Sequence, residues 1–159
     1  MRAQIITLVA ATAILAACAE KPQPAGPAIV GDTGTTPAGV QMSLVEQFKQ
    51  QVGDRIFFDF DKSSITPEAK AILERQAAFF KTNAQITFTI EGHCDERGTR
   101  EYNLALGERR ATADKNGMVA LGIPASRMQT ISYGKERPAV VGSNEAAWAQ
   151  NRRAVSVIN

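Results

Sequence analysis

The stretch that decides the fold is ITFTIEGHCDERGTREYNLALGERRATADKNGMVALG, residues 86–122. Residues 86–91 alternate apolar and polar side chains, which is the period of a half-buried strand. A polar loop follows at 92–100, and residues 101–121 predict a helix that ends before Gly122, a residue suited to cap it. A strand that leads through a polar loop into a long helix predicts a sheet with helices packed against it.

The segments on either side continue this alternation. Residues 55–60, RIFFDF, predict a strand because aromatic and β-branched side chains favour that state. Thr66 and Pro67 predict a helix start, with Thr66 as N-cap and Pro67 at the first helical position. Two more strands are predicted at 129–133 and 154–158, and a short helix near 145–150. The order βαβαβ(α)β predicts an α+β domain, an α/β sandwich of helices on a four-stranded sheet, over residues 45–159.

The amino-terminal segment predicts export and lipidation. A positive start at Arg2 and an apolar run too short for the about 20 residues of a membrane span indicate a signal peptide over 1–17. The run ends in Leu-Ala-Ala-Cys at Cys18, which resembles a bacterial lipobox, so we expect Cys18 to become an acylated N-terminus. Ala19 after the cysteine fits lipoproteins sent to the outer membrane. The alternative is a plain signal peptide, with Cys18 incidental or paired with Cys94.

Residues 18–44 predict a tether between that lipidated end and the domain. The segment 19–39, AEKPQPAGPAIVGDTGTTPAG, is rich in proline and glycine and has no aromatic residue. Such a sequence cannot bury enough apolar area to offset the entropy of ordering it. About 20 residues reach at most roughly 70 Å when extended, which sets the range of the tether.

Composition excludes several classes of function. The chain has 159 residues, a formal net charge of +2 and 44% hydrophobic residues, which is typical of one globular domain with an appendage. The charge is too small to indicate nucleic-acid binding, and Arg152 and Arg153 beside Trp148 do not change that. One histidine and two cysteines are too few for a zinc framework, and no cofactor is predicted.

The densest polar run is residues 91–110, which hold five acidic residues and four arginines. This near balance argues against a phosphate-binding groove and favours a ligand that carries both an ammonium and a carboxylate. The consecutive residues His93, Cys94 and Asp95 invite a catalytic interpretation. Neighbours along a strand point to opposite faces, however, so they rarely form a triad.

Five motifs carry a resemblance to a known family. They are FDFDK at 58–62, GHxDERGT at 92–99, YNxxLGERRA at 102–111, SYGK at 132–135 and NRRAV at 151–155. From residue 55 onward the chain resembles the OmpA-like peptidoglycan-binding domains, shared with flagellar stator proteins. With its lipobox and tether it is similar to the peptidoglycan-associated lipoproteins of that family.

The resemblance implies a biological role. It implies a mixed sheet and a non-enzymatic outer-membrane lipoprotein whose domain faces the periplasm and binds meso-diaminopimelate in the peptidoglycan stem peptide. It also implies TolB and other Tol proteins as partners, and a part in the Tol–Pal system and cell division. Two alternatives stay open: a peptidoglycan hydrolase, and an adaptor that binds only proteins.

The resemblance also implies ligand residues. The loop carboxylate Asp95 would hold the ammonium of diaminopimelate, and the helix guanidinium Arg110 would bind its carboxylate. Further contacts are expected from Asn103, Thr99, Asp59 and Phe58, the last two forming the opposite wall. The structural alternative is that Asp95 and Arg110 simply pair with each other. The family usually has Ala or Thr in place of Cys94, which is expected to be a small, semi-buried thiol.

Overall fold

A four-stranded mixed sheet with helices packed against it forms residues 42–159, the part of the chain that the computed structural model describes. The predicted signal peptide, Cys18 and most of the predicted tether lie outside the described residues. The strands are β1 Arg55–Phe57, β2 Phe88–His93, β3 Met128–Gly134 and β4 Arg153–Ile158. The helices are α1 Leu44–Gln47, α2 Pro67–Thr82, α3 Arg100–Ala120 and α4 Glu145–Asn151. The predicted α+β class is confirmed.

The sheet has the order β1-β4-β2-β3. Strand β4 runs antiparallel to both β1 and β2, whereas β2 and β3 are parallel and joined through α3. The carboxyl ends of β1, β2 and β3 therefore lie at the same edge of the sheet, together with the start of β4. Loops from four places in the sequence meet there.

Two predicted strands differ from the structure at their ends. β1 stops at Phe57 rather than residue 60, because the chain turns at Phe60 and Asp61, where Asp61 has a φ of 57°. β2 spans 88–93 rather than 86–91, because the Ile86 N–H donates to the Asn83 carbonyl in the turn before the strand. In both places, residues whose side chains favour a strand form part of a turn instead.

The first helix was not predicted. Ser43 caps it with its side chain, and Glu46 returns a hydrogen bond to the Ser43 N–H. The helix continues as a π-helical turn, Phe48–Val52, which buries Phe48 completely. The Phe48 ring lies 5.1 Å from that of Phe79 and 4.9 Å from that of Phe80. Tertiary packing thus stabilises a helix that is too short to form alone.

Caps and an apolar core fix the other elements. The Thr66 hydroxyl accepts the Ala69 N–H at 3.2 Å at the start of α2, as predicted. Gly122 has a φ of +91° after α3, which is the conformation that a helix-ending glycine supplies. The apolar faces of α2 and α3 pack on the sheet, where the rings of Phe80 and Phe88 stack with centroids 3.8 Å apart.

Helix α3 differs from an ordinary amphipathic helix because part of its buried face is polar. Asn103, Arg110 and Asp114 are each at most 2% exposed. Buried polar side chains of this kind are uncommon without a structural or functional reason. Within residues 42–159, no helix has the length and apolar character needed to cross a membrane.

Candidate functional site

A pocket of about 160 Å³ opens at the edge of the sheet where β1 and β2 end and α3 begins. Its walls come from the turn after β1, the loop after β2 and the first turns of α3. The lining residues are Phe60, Asp61, Cys94, Asp95, Arg97, Gly98, Tyr102, Asn103, Leu106 and Arg110. Three of the predicted site residues, Asp95, Asn103 and Arg110, are among them.

Arg110 is fully buried at the base of this pocket. Its Nε donates to the Lys62 carbonyl at 2.9 Å, Nη1 to the His93 carbonyl at 2.8 Å and Nη2 to the Asp59 carbonyl at 3.1 Å. Burial lowers the pKa of Arg110, although an arginine remains charged in proteins. One side chain thus ties the loop after β1 to the end of β2, and the same guanidinium group lines the pocket.

Asp95 supplies a buried negative charge to the pocket and is 4% exposed. Its Oδ2 lies 2.6 Å from Nη2 of Arg97 and 3.5 Å from Nη1 of Arg152. Burial by itself raises the pKa of Asp95, but the hydrogen bonds from Arg97 outweigh it and hold the pKa below its ordinary value. The carboxylate is therefore ionised and already paired. Its partners are not Arg110, so the alternative that Asp95 and Arg110 simply pair with each other is wrong.

Asn103 and Thr99 organise the loop that carries Asp95. The Asn103 Nδ2 donates to the carbonyls of Arg97 at 2.7 Å and Thr99 at 2.9 Å, which closes the loop onto α3. The Thr99 hydroxyl accepts the Tyr102 N–H at 3.2 Å and so caps α3. Asn103 lines the pocket, whereas Thr99 is exposed and does not.

The predicted opposite wall lies two residues further along the chain. The Asp59 side chain is 60% exposed and paired with Lys62 at 3.2 Å, and only its carbonyl reaches the site, through Arg110. Phe58 is buried in the apolar core, with its ring 5.3 Å from the Arg110 guanidinium. Phe60 and Asp61 line the pocket instead, because the chain leaves the sheet after Phe57.

Arg97 is not among the predicted site residues, but the structure places it at the mouth of the pocket. Its guanidinium lies between two aromatic rings, 3.9 Å from the centroid of Phe60 and 4.1 Å from that of Trp148, while it pairs with Asp95. Tyr102 completes the rim and donates its hydroxyl to Asp61. Trp148 is distant in sequence, so only the fold brings it here.

The chain neighbours His93 and Cys94 do not act together. The Cys94 thiol donates to the Asn103 carbonyl at 3.3 Å, and burial raises its pKa to about 11. His93 is buried beside Tyr133, and burial together with nearby arginines lowers its pKa to about 4. A protonated thiol and a neutral imidazole that share no hydrogen bond lack the geometry of a nucleophile and its base.

Two other features of the described part of the chain concern charged and metal-ligating side chains. Arg152 and Arg153 are buried, at 6% and 7% exposure, so they do not form a basic surface. Residues 42–159 contain no cluster of three or more His, Cys, Asp or Glu side chains that could hold a metal ion.

The charged residues around the pocket are balanced. Asp61 and Asp95 contribute negative charge, and Arg97 and Arg110 contribute positive charge. Such a pocket can offer a carboxylate to an ammonium and a guanidinium to a carboxylate at the same time. The arrangement suits a small zwitterionic group.

Comparisons with known proteins identify the relatives of the chain. Residues 57–152 match the OmpA family. The chain is 50% identical over 147 residues to the peptidoglycan-associated lipoprotein of Agrobacterium fabrum, which covers 91% of this chain and 81% of the relative. It is 40% identical over 154 residues to the protein of that name from Pasteurella multocida, covering 96% of this chain and 95% of the relative.

Solved structures agree with this assignment. The crystal structure of the peptidoglycan-associated lipoprotein from Burkholderia pseudomallei superposes with a TM-score of 0.65 at 43% identity, covering 67% of this chain and 90% of that one. The C-terminal domain of Helicobacter pylori MotB superposes with a TM-score of 0.62 at 17% identity, covering 67% of this chain and 84% of that one. The second likeness concerns the fold alone.

Proposed function

Because the chain belongs to the OmpA family and, within it, to the peptidoglycan-associated lipoproteins, we propose that it binds peptidoglycan without a covalent bond and links the outer membrane to the cell wall. The ligand is the diaminopimelate residue of the stem peptide, held in the pocket of Asp95, Asn103 and Arg110. In this function the protein is a binding module rather than an enzyme.

The balanced charge of the pocket is the observation that carries the proposal. The side chain of diaminopimelate ends in a second amino-acid centre, with an ammonium and a carboxylate on one carbon. Asp95 and Arg110 present groups of the opposite sign within a single pocket of about 160 Å³. The buried position of both residues strengthens each contact, because electrostatic interactions weaken in water.

Affinity for one ligand is expected to be modest. A charge-assisted hydrogen bond contributes roughly 1.5–3 kcal/mol net, so a few of them do not produce very tight binding. The ligand repeats throughout the wall, however, and a lipid anchor would confine the domain to a thin layer beside it. A high effective concentration then supplies much of the attachment.

The anchor and the partners complete the proposed role. Acylation at Cys18, with the tether 18–44 behind it, would hold the domain on the periplasmic face of the outer membrane. TolB and other Tol proteins are the proposed protein partners, and membership of the Tol–Pal system would give the protein a role in envelope constriction during cell division. The resemblance in the anchoring motif and in the domain supports this part of the proposal.

The test is a titration of the chain with a stem peptide that contains diaminopimelate, followed by sedimentation with isolated sacculi. The variant is Asp95→Asn, which keeps the shape of the side chain and removes its charge. We expect a loss of binding of about tenfold or more, since one charge-assisted contact is lost. The matched control is Asp59→Asn, the same change on a side chain that is exposed and outside the pocket.

Each outcome has one interpretation. Equal binding by Asp95→Asn and the unchanged chain would reject the site. Release of soluble muropeptides by the purified protein would favour a hydrolase. Binding to TolB without saturable binding to sacculi would favour an adaptor for proteins alone.

A further inference from the structure

We propose that Arg97 is a specificity-determining residue, which selects zwitterionic ligands by exchanging partners with them. In the present structure its guanidinium neutralises Asp95, with Nη2 at 2.6 Å from Oδ2 and Nε at 3.2 Å from Oδ1. A ligand ammonium that binds Asp95 must take the place of Arg97. The inference rests on the proposed function, because it concerns the ligand of the same pocket.

Arg97 is the partner of Asp95 that is able to move. Arg152, the other cation, is 8% exposed and fixed by the Phe58 carbonyl at 3.0 Å and the Glu145 carboxylate at 2.6 Å. The Arg97 side chain is 32% exposed, and all its side-chain hydrogen bonds in residues 42–159 go to Asp95. Displacing Arg97 therefore breaks one ion pair and leaves the surrounding network in place.

The aromatic rings give Arg97 a position to occupy in either state. Its guanidinium stacks between Phe60 and Trp148, at 3.9 and 4.1 Å from their centroids. Cation–π contact stabilises the charge without requiring Asp95, and it places the guanidinium along the pocket mouth. The Trp148 ring is itself held by its indole N–H, which donates to Glu96 at 3.0 Å.

Partner exchange explains how the pocket distinguishes two kinds of ammonium. A zwitterion gives its ammonium to Asp95 and shares its carboxylate between Arg110 and the released Arg97, so every charge remains paired. The terminal ammonium of a lysine side chain pairs with Asp95. The lysine ligand has no carboxylate beside that ammonium, so Arg97 is left without an anion in a partly buried site. Arg97 then loses its ion pair with Asp95 and gains no new one, so the lysine ligand binds less favourably than the zwitterion.

The experiment compares two stem peptides that differ only in diaminopimelate or lysine at the third residue, titrated by calorimetry into the full chain in detergent. The variant is Arg97→Met, which keeps an unbranched apolar stem between the rings and removes the charge. We expect the unchanged chain to prefer diaminopimelate, and Arg97→Met to lower that preference by roughly tenfold or more, chiefly by binding the lysine peptide better. Arg97→Lys, which restores a positive charge, should recover part of the preference.

The matched control is Arg109→Met, the same change at an exposed arginine that does not line the pocket. An unaltered preference in Arg97→Met, with diaminopimelate still bound, would overturn the role of Arg97 and leave the proposed function intact. Failure of the unchanged chain to bind either peptide would overturn both. A preference that falls equally in Arg109→Met would show a general charge effect and would also overturn the role of Arg97.

Discussion

Gly92 of β2 and Gly107 of α3 are in direct backbone contact, and a methyl group on Gly92 would overlap the Gly107 carbonyl. This approach brings the helix against the strand just before the strand ends. Arg110 lies one turn beyond Gly107, and its Nη1 therefore reaches the His93 carbonyl at 2.8 Å. Two glycines thus set the distance on which the base of the pocket depends.

We expect Gly92→Ala to destabilise the domain by at least about 2 kcal/mol, because the added methyl group meets backbone atoms that cannot turn aside. The free energy of unfolding in urea measures this effect. Glu91→Ala in the same strand is the control, since that side chain is not packed between strand and helix backbones. Equal stability of the two variants would contradict the close approach of β2 and α3.

Arg110→Leu should cost on the order of 3 kcal/mol of stability, because the carbonyls of Asp59, Lys62 and His93 lose their donor together. Chemical denaturation of the variant and the unchanged chain provides the measurement. A variant as stable as the parent would mean that these three contacts are unimportant. Reduced ligand binding by Arg110→Leu would therefore combine a loss of stability with the loss of a ligand contact. Asp95→Asn is for that reason the cleaner test of the site.

Asp114 should make stability fall as pH rises. Burial raises the pKa of this carboxyl from 3.8 to about 7, and within residues 42–159 neither of its oxygens has a hydrogen-bond partner. The folded state thus binds a proton that the unfolded state has released above pH about 4. The contribution of the protonated form to the free energy of unfolding is fully present below pH about 4 and is lost as the pH rises through about 7. The full loss is on the order of 4 kcal/mol.

Asp114→Asn is the comparison that isolates this effect, since an amide does not titrate. Urea unfolding of both chains at pH 5 and pH 8 gives the change in the free energy of unfolding between the two pH values, which is then compared between the chains. His93 has the opposite sign, because its pKa is lowered to about 4, but it is present in both chains and its contribution cancels. Parallel stability curves for the two chains would show that Asp114 is solvated.

Cys94 should be unreactive in the folded protein. Its thiol is 3% exposed and its pKa is raised to about 11, so little thiolate is present or accessible at pH 8. In a Cys18→Ser chain, where Cys94 is the remaining cysteine, Ellman's reagent should react within seconds in denaturant and at least about a hundredfold more slowly without it. Rapid reaction under native conditions would contradict the buried position.

Sequence patterns identified most elements of the domain because the local signals agree with the fold. The start of α2 at Thr66 and Pro67 and the end of α3 at Gly122 depend on the backbone preferences of those residues themselves, and both were predicted. The first helix was missed since its stabilising contact, Phe48 on Phe79 and Phe80, is tertiary.

The lining of the candidate pocket overlaps the predicted site residues in part for the same reason. Asp95, Asn103 and Arg110 share one strand–loop–helix unit and stay close together. Phe58 and Asp59 were chosen from a neighbouring motif, but the turn after β1 moves the lining role to Phe60 and Asp61. The importance of Arg97 depends on Trp148, 51 residues away in the chain, and no local pattern indicates that pairing.

The position of β1 has a mechanical consequence. Helix α1 and its π-helical turn lead into β1, whose far end leads to the Asp59 carbonyl held by Arg110. A force that is transmitted along the chain from α1 to the Asp59 carbonyl passes through β1. Such a force loads the pairing of β1 with β4 in shear, so that the pairs must break together. These pairs are Arg55 with Val155, Ile56 with Ala154 and Phe57 with Arg153. The short edge strand is thus oriented to bear tension rather than to be peeled from the sheet one hydrogen bond at a time.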